Sequence, residues 1–308
     1  MAESRCIDIV QASFKGQAIS WISKKGITEY RTKLELLVRE KNMADSRNDM
    51  NRPWGSYMEP FKIKGNLYFV GCFAASSHLI DTGEGFILID TGYPQNLYQV
   101  IHNVYKMGFD IMDIRYIIHS HGHYDHLGGT KALVELTGAK TFIGKGDEDY
   151  ANGKADLTWA KELGFTYYEA FEPDMIMQDG DVISLGNTSI EIVSTPGHTP
   201  GTVSLFFEIK DEGKSYKVAM HGGVGINSMK DAFLERYGLS TDCRQKFLEG
   251  IDRVKDRPVD IFIGNHVWNN DTLGKYERML AGEQDAFVDS SEWKRFLEKC
   301  AERVEALI

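Results

Sequence analysis

Apolar residues in the first fifty positions recur at the spacing of a helix. Five of them share one helical face, with Lys, Arg and Glu on the other faces: Ile27, Tyr30, Leu34, Leu37 and Val38. The polar run SRNDMNRP at 46–53 is typical of a connector. The pattern therefore predicts an N-terminal helical extension over residues 1–50, followed by a larger domain over 51–308.

The apolar face of this extension needs a partner, because burying each such side chain stabilises a protein by ~1.5–3 kcal/mol. Three partners are open: the larger domain of the same chain, a second copy of the chain in a homo-oligomer, or the entrance of an active site. The short connector would keep the helix close to its own chain. We therefore expect the extension to pack on the larger domain.

From about Pro60 onward the pattern changes to short strands separated by helices. Residues 61–70 alternate around a turn at Gly65 and Asn66, and a buried strand then ends at Asp90. Further strands are predicted at 114–119, 140–144, 182–185, 188–194, 202–209, 216–220 and 259–263, and helices at 97–107, 131–137, 243–254 and 291–307. Two successive strand-rich halves with interspersed helices predict a layered α/β sandwich.

Composition narrows the class of protein. Of 308 residues, 42% are hydrophobic and 26% are charged, as in an ordinary globular enzyme, and the net charge of −10 disfavours general nucleic-acid binding. No run approaches the ~20 apolar residues of a membrane span, and the N-terminus lacks a signal-peptide core. The cysteines form no CxxC pair and fit free thiols in a reducing compartment: Cys6, Cys72, Cys243 and Cys300. We therefore expect a cytoplasmic enzyme with a small-molecule substrate and no nucleic-acid or membrane partner.

The segment that follows the strand at 114–119 carries the chemistry. It reads Ser-His121-Gly-His123-Tyr-Asp125-His126, so four metal-binding side chains fall in the pattern HxHxDH. Alternate residues of an extended segment point the same way, so His121 and His123 can bind one ion together. Asp125 and His126 lie at the start of the next helix and turn toward a second position. Imidazole and carboxylate donors suit zinc.

Two further histidines follow buried strands. His198 lies in the tight turn TPGHTPG, and His266 ends the run IFIGNH. Each by itself is as compatible with an ordinary turn histidine as with a metal ligand. Together they supply the donors that the HxHxDH segment lacks.

These motifs resemble those of the metallo-β-lactamase superfamily. The resemblance rests on IDTG ending at Gly92, on HxHxDH, on PGHTPG and on His266, and it runs from about Asn51 to the C-terminus. Within the superfamily the chain is most similar to the third subclass of class B β-lactamases. The resemblance implies a four-layer αββα fold over 51–308 and two zinc ions per chain. It implies a first zinc on His121, His123 and His198, and a second on Asp125, His126 and His266.

The chain departs from its relatives at the end of one strand. Lactonases and related enzymes place a metal-bridging aspartate where this chain has Gly222 and Gly223, which favours the β-lactamase-like arrangement. The third β-lactamase subclass places two carboxylate-binding serines where Gly223 and Gly225 stand. Val259 stands where some members have a disulfide cysteine. The two glycines predict that any β-lactamase activity is weak. All the departures together, with the absent leader, disfavour a periplasmic role in antibiotic resistance.

Each of the remaining candidate residues has two possible interpretations. Asp90 either orients a ligand histidine from behind or forms a turn. His221 either lines the substrate pocket with Gly223 or is a buried, satisfied histidine. Trp268 and Asn269 follow the last ligand on a loop that either faces substrate or is a plain turn.

The expected function is hydrolysis of a cyclic or activated amide or ester. Zinc lowers the pKa of bound water to about 7, which gives a hydroxide near neutral pH, and Asp125 would also orient the attacking water. Alternatives are a lactone, thioester or sulfate-ester hydrolase, a flavodiiron-type redox protein and a non-catalytic binding module. The redox class usually has Glu where His123 stands and carries a flavin domain. A complete ligand set disfavours a binding module.

Overall fold

The computed structural model describes residues 52–308 except 166 and 168. The helical extension predicted over residues 1–50 and Cys6 lie outside the described residues, so the extension and the surface on which it packs remain predictions. In the described part of the chain, no helix is both long and apolar enough to span a membrane. Three cysteines in this part are free thiols: Cys72, Cys243 and Cys300.

The first half of the chain forms a seven-stranded sheet in which neighbours in sequence are neighbours in space. Its first four strands pair antiparallel: β1 (Phe61–Lys64), β2 (Leu67–Phe69), β3 (His78–Asp81) and β4 (Phe86–Ile89). The remaining strands pair parallel to β4 in the order β5 (Ile114–Ile118), β6 (Lys140–Gly144) and β7 (Met175–Met177). Parallel pairing sends the carboxyl ends of β4, β5 and β6 to one edge.

The second half forms a five-stranded sheet in the order β12-β11-β10-β9-β8. Four strands pair antiparallel: β8 (Val182–Leu185), β9 (Thr188–Ser194), β10 (Val203–Asp211) and β11 (Lys214–His221). The short β12 (Ile261–Phe262) pairs parallel to β11. The carboxyl ends of β9, β11 and β12 therefore also lie at one edge.

Eight α-helices of the described chain connect these strands. They are α1 (Leu97–Lys106), α2 (Tyr124–Leu127), α3 (Thr130–Thr137), α4 (Glu148–Ala151), α5 (Asp231–Tyr237), α6 (Asp242–Val254), α7 (Thr272–Leu280) and α8 (Glu292–Glu305). Short 3-10 turns lie at Pro53–Ser56, Pro94–Asn96, Ile111–Asp113 and Asn227–Met229.

Helices cover the outer face of each sheet. Val100, Val104 and Leu133 of α1 and α3 pack with Leu88 and Ile117 of the first sheet. A second cluster joins α6 and α8 to the second sheet and contains Phe206, Phe247, Phe262, Trp293 and Leu297. The layers follow the order helix, sheet, sheet, helix, which confirms the predicted αββα sandwich.

Most predicted elements are present within one or two residues. The strand predicted at 259–263 is shorter, because only Ile261 and Phe262 pair with Val218 and Ala219 of β11. Five elements were not predicted from the sequence: β3, β7, α4, α5 and α7. Strands of three or four residues carry too few positions for a period of two to be visible.

Candidate metal centre

The HxHxDH segment crosses the site directly after β5. His123 has extended backbone angles and precedes the first residue of α2, so the chain turns into the helix between His123 and Asp125. His121, His123 and His126 are each 5% exposed or less. A buried imidazole that binds no metal normally has a hydrogen-bond partner for each ring nitrogen. The atoms that the ring nitrogens of these histidines face therefore indicate which kind of ligand the site can hold.

His198 joins His121 and His123 from the loop after β9. Its Nε2 lies 3.2 Å from Nε2 of His121, and its ring centroid lies 4.5 Å from that of His123. Nitrogen atoms of His121, His123 and His198 all fall within 4.8 Å of one another. We call these residues the three-histidine group.

Asp125, His126 and His266 form a second cluster, here called the aspartate group. Nε2 of His266 lies 3.3 Å from Nε2 of His126 and 3.4 Å from Oδ2 of Asp125. Oδ2 of Asp125 lies 3.2 Å from Nε2 of His126. His121 also comes within 4.8 Å of Asp125 and His126, so it lies at the boundary between the two groups.

The three-histidine group is a set of neutral donors. Burial and the neighbouring histidines hold the pKa values of His121 and His123 well below the ordinary value. Burial also lowers the pKa of His198 to about 4. In three neutral imidazoles, one ring nitrogen each carries a lone pair that can face the group, and Nε2 of His121 and Nε2 of His198 do so at 3.2 Å; such a set of neutral nitrogen donors fits a metal ion.

The aspartate group favours a cation by its charge. Burial would lower the pKa of His126, but the carboxylates of Asp125 and Asp90 outweigh it and raise that pKa to about 10. Burial would raise the pKa of Asp125, yet His126 and His266 bring it below the ordinary value. A positive charge is thus stabilised between two carboxylates, and a metal ion can supply it in place of a proton.

Asp90 holds the aspartate group from behind. It follows β4 with φ of 58° and is fully buried. Its carboxylate accepts hydrogen bonds from Ser120 N (2.7 Å), Ser120 Oγ (2.6 Å) and His126 Nδ1 (2.9 Å). The last bond leaves Nε2 of His126 as the nitrogen that faces the cluster. Asp90 therefore lies behind His126, a predicted ligand, which agrees with the first of its two interpretations.

Backbone carbonyls orient the two isolated histidines in the same way. Nδ1 of His198 donates to the carbonyl of Gly225 at 2.6 Å, and Nδ1 of His266 donates to the carbonyl of Ala74 at 3.1 Å. In both rings Nε2 is left to face the site. The structure thus brings all six predicted ligands to one place, from loops of both sheets.

Gly223 and Gly225 lie against the ring of His198. A Cβ added at Gly223 would come within 2.3 Å of His198 Cδ2, and one at Gly225 within 2.9 Å of His198 Cε1. Any larger residue at Gly223 would push the ring aside. Glycine at these two positions therefore allows the ring of His198 to lie against the backbone, where the carbonyl of Gly225 accepts its hydrogen bond.

One interpretation placed His221 and Gly223 at the substrate pocket, but neither lines the cavity. The other made His221 a buried, satisfied histidine; it is buried, yet its Nε2 has no hydrogen-bond partner among the described residues. The ring of His221 lies 5.9 Å from that of Phe247, and its Nδ1 accepts a weak hydrogen bond from Gly223 N at 3.4 Å. Both residues lie behind His198 because the chain turns there to support the histidine. The cavity wall is formed instead by the next residues, Val224 to Ser228.

A cavity of about 340 Å³ opens onto the two groups. Trp268 and Asn269, expected on a loop facing substrate, line it. The ring of Trp268 stacks on His266 with centroids 4.3 Å apart and planes 12° apart, and it is 49% exposed. On the other side Trp159 lies 6.0 Å from His123. The three-histidine group and the aspartate group therefore lie between two tryptophans.

Several residues at the site had no signal in the sequence. Tyr93, Trp159 and Arg303 line the cavity, and Asp147 is fully buried against the ligand loops. Arg303 comes from α8, more than thirty residues after the last ligand. Only the folded chain brings these side chains to the site, since none lies in a recognisable spacing.

Comparisons with known proteins agree with this geometry. The family model described as the metallo-beta-lactamase superfamily matches residues 70–211. The native FEZ-1 metallo-beta-lactamase of Legionella gormanii is 30% identical, with a TM-score of 0.75 over 82% of this chain and 95% of that one. The class B3 di-zinc metallo-beta-lactamase LRA-12 from an Alaskan soil metagenome is 26% identical, with a TM-score of 0.73 over 83% of this chain and 96% of that one.

A lactonase is among the sequence relatives. The N-acyl homoserine lactonase of Bacillus thuringiensis is 26% identical over 159 residues, which are 44% of this chain and 59% of the lactonase. The chain thus matches less than two thirds of the length of the first curated relatives.

Proposed function

The chain belongs to the metallo-β-lactamase superfamily, and on that premise we propose that it is a hydrolase that binds two zinc ions and cleaves a cyclic or activated amide or ester. The members found by comparison are hydrolases by description. One observation carries the proposal: six buried or half-buried side chains with metal-binding atoms lie together. Nε2 of His121 lies 3.2 Å from Nε2 of His198, and Nε2 of His126 lies 3.3 Å from Nε2 of His266.

The two groups would each hold one ion. His121, His123 and His198 offer three imidazole nitrogens, and Asp125, His126 and His266 offer two nitrogens and a carboxylate oxygen. Both sets match the nitrogen and oxygen ligands that zinc takes in catalytic sites, where three protein ligands leave one position open. When bound there, zinc supplies Lewis acidity and makes water ionise near neutral pH.

The chain's own residues position the reactants. Asp125 lines the cavity, and its carboxylate can accept a hydrogen bond from the attacking water and so orient it. Trp159 and Trp268 flank the proposed ligands and offer apolar ring faces to a substrate in the cavity. The described cysteines lie outside the lining of this cavity. Ser228 lines it, but its hydroxyl donates to the carbonyl oxygen of His198 at 2.7 Å, so the proposal assigns the attack to water and not to a serine or cysteine.

The glycines behind His198 bear on the substrate class. In the similar β-lactamase subclass, serines at the positions of Gly223 and Gly225 would bind the substrate carboxylate. Losing a hydrogen bond to a charged group costs about 1.5–3 kcal/mol, or roughly 10- to 150-fold in affinity. We therefore expect slow β-lactam hydrolysis with a high KM. Steady-state kinetics with efficient turnover of a carbapenem at micromolar concentration would contradict this.

A lactone is the second candidate substrate. A curated relative is an N-acyl homoserine lactonase, and ring opening of a lactone asks for the same attack on a strained or activated carbonyl. Against it stands the absence of an aspartate at Gly222 and Gly223, where the lactonases are expected to have a bridging one. The lactam and the lactone can therefore be separated only by assay.

Metal analysis combined with two assays tests the proposal. The purified chain, loaded with zinc and dialysed, should contain about two zinc ions and should open nitrocefin, an N-acyl homoserine lactone, or both. The Asp125→Asn variant should lose turnover. A loaded wild type with only trace metal would refute the metal site, and two zinc ions without turnover of either probe would refute the substrate class.

A further inference from the structure

Asp147 is a buried carboxylate that the mechanism above does not use. It follows β6 at the start of α4, is fully buried, and makes no capping bond to the helix that it precedes. A buried carboxylate is costly unless donors surround it. Its position therefore depends on the partners toward which its side chain turns.

Those partners belong to the two loops that carry the three-histidine group. Oδ2 of Asp147 accepts hydrogen bonds from Gly122 N and from Thr199 Oγ1, both at 2.6 Å. Oδ1 accepts one from Gly201 N at 2.7 Å. Gly122 lies between His121 and His123, and Thr199 follows His198. One carboxylate thus joins the loop of the first sheet to the loop of the second.

The packing around this carboxylate is tight. A Cβ at Gly122 would come within 2.9 Å of the Tyr150 ring and 3.0 Å of Asp147 Cβ, and one at Gly201 within 2.6 Å of Asp147 Cγ. The two loops also meet through the hydrogen bond from Val203 N to Ser120 O at 3.1 Å. That bond involves Ser120, which precedes His121 in the chain. Asp147 instead contacts Gly122, between His121 and His123, and Thr199, next to His198.

We propose that Asp147 is a positioning residue that sets the distance between His121–His123 and His198, and thereby the affinity of the three-histidine group for its metal ion. The inference rests on the proposed metal centre. It assigns the two groups different supports: Asp147 holds the three-histidine group, and Asp90 holds the aspartate group through His126.

The Asp147→Asn variant tests this with little change of volume. An amide has one acceptor oxygen, so its NH₂ must face either Gly122 N or Gly201 N, and one backbone N–H loses its acceptor. Changes behind metal ligands typically weaken metal binding about 10- to 100-fold. We expect that loss for one of two ions only. Asp149→Asn is the control, because Asp149 is exposed two residues away.

Three measurements are needed. Competition with a chromophoric chelator gives the two affinities without any assay of activity. The visible spectrum of the cobalt-loaded protein reports the geometry of the ligands, and thermal unfolding of the metal-free variants reports stability. The expected result is one weakened ion, an altered cobalt spectrum for Asp147→Asn, and wild-type values for Asp149→Asn. Wild-type affinities and spectrum in Asp147→Asn, even with a lower melting temperature, would overturn the inference.

A second variant keeps the test decisive if Asp147→Asn does not fold. Thr199→Val removes one of the three donors at constant volume, and it should weaken the same ion by a smaller factor. An unchanged affinity in this variant would also overturn the inference. Failure of the proposed function is separable: a wild type that binds two ions but hydrolyses neither probe leaves the affinities measurable, whereas a wild type that binds no metal removes both proposals.

Discussion

The contiguous ligand segment at 121–126 and the two isolated histidines, His198 and His266, are held in place by different chemistry. Side-chain carboxylates support the segment: Asp90 accepts from His126 Nδ1, and Asp147 accepts from Gly122 N. Backbone carbonyls at Gly225 and Ala74 orient the rings of the isolated histidines, and the loop of His198 also reaches a carboxylate, that of Asp147. A carboxylate adds charge and can be removed by mutation. A carbonyl adds only a dipole, and it can be disturbed only by moving the chain.

The largest difference between the two regions should follow from removing a ligand of each. His121 lies within 4.8 Å of donors in both groups, whereas Nε2 of His266 faces His126 at 3.3 Å and Asp125 at 3.4 Å, both in the aspartate group. We expect His266→Ala to lose about one zinc ion and His121→Ala to lose one and weaken the other. Turnover should fall by more than the roughly 10- to 100-fold that is typical when a residue hydrogen-bonded to a metal ligand is replaced.

Elemental analysis after dialysis against a weak chelator measures both losses. His102→Ala is the matched control, because His102 is an exposed histidine on α1, far from the cluster in sequence. Equal metal content in the two ligand variants would show that His121 does not stand between the groups.

The next largest effect should come from the carboxylate behind His126. Asp90→Asn keeps the volume but replaces one oxygen with a donor, which conflicts with Ser120 N, Ser120 Oγ or His126 Nδ1. We expect the ion of the aspartate group to bind about 10- to 100-fold more weakly. Chelator competition should then show that Asp90→Asn weakens the ion of the aspartate group, whereas Asp147→Asn weakens the ion of the three-histidine group. If both variants weakened the same ion, the two carboxylates would not divide the site between them.

The carbonyl supports can be tested only by displacing a ring. Gly223→Ser would place Cβ 2.3 Å from the ring of His198, and Gly225→Ser would place it at 2.9 Å. We expect about tenfold weaker metal binding in Gly223→Ser and a smaller loss in Gly225→Ser. Neither should lower the KM for a β-lactam in spite of the added hydroxyl. A lower KM with unchanged metal affinity would show that His198 tolerates a serine beside it.

The smallest effect should lie outside both regions, at Arg303 on α8. Arg303 lines the cavity, is exposed, and has no ion-pair partner within the described residues. We expect Arg303→Ala to raise the KM for anionic substrates only, by about two- to fivefold, since an exposed ion pair contributes about 0.5–1 kcal/mol. Kinetics with a neutral and an anionic substrate check this against Lys299→Ala. An equal change for both substrates would argue against a charge effect.

The same two regions show how far prediction from sequence could reach. HxHxDH could be predicted as a ligand set because its four donors are close in sequence and a strand precedes it. His198 and His266 were ambiguous one by one, since a turn histidine and a ligand have the same local sequence. The periodicity predicted a layered α/β sandwich, and the family resemblance implied the αββα order of its layers; the structure confirms both. The roles of Asp147, Trp159 and Arg303 could not be predicted, because their partners are distant in sequence.

The sequence by itself determined the candidate donors and the strands that carry them, because these depend on residue type and local spacing. Their protonation depends on burial and on neighbours such as Asp90, which only the fold brings to His126. Only the tertiary structure decided which oxygen or carbonyl orients each imidazole. It also decided that Gly223 and His221 lie behind His198 rather than in the cavity. The physical reason is the range of the interactions: a hydrogen bond acts over about 3 Å, and the fold alone brings Asp147, on the loop after β6, within that distance of two other loops.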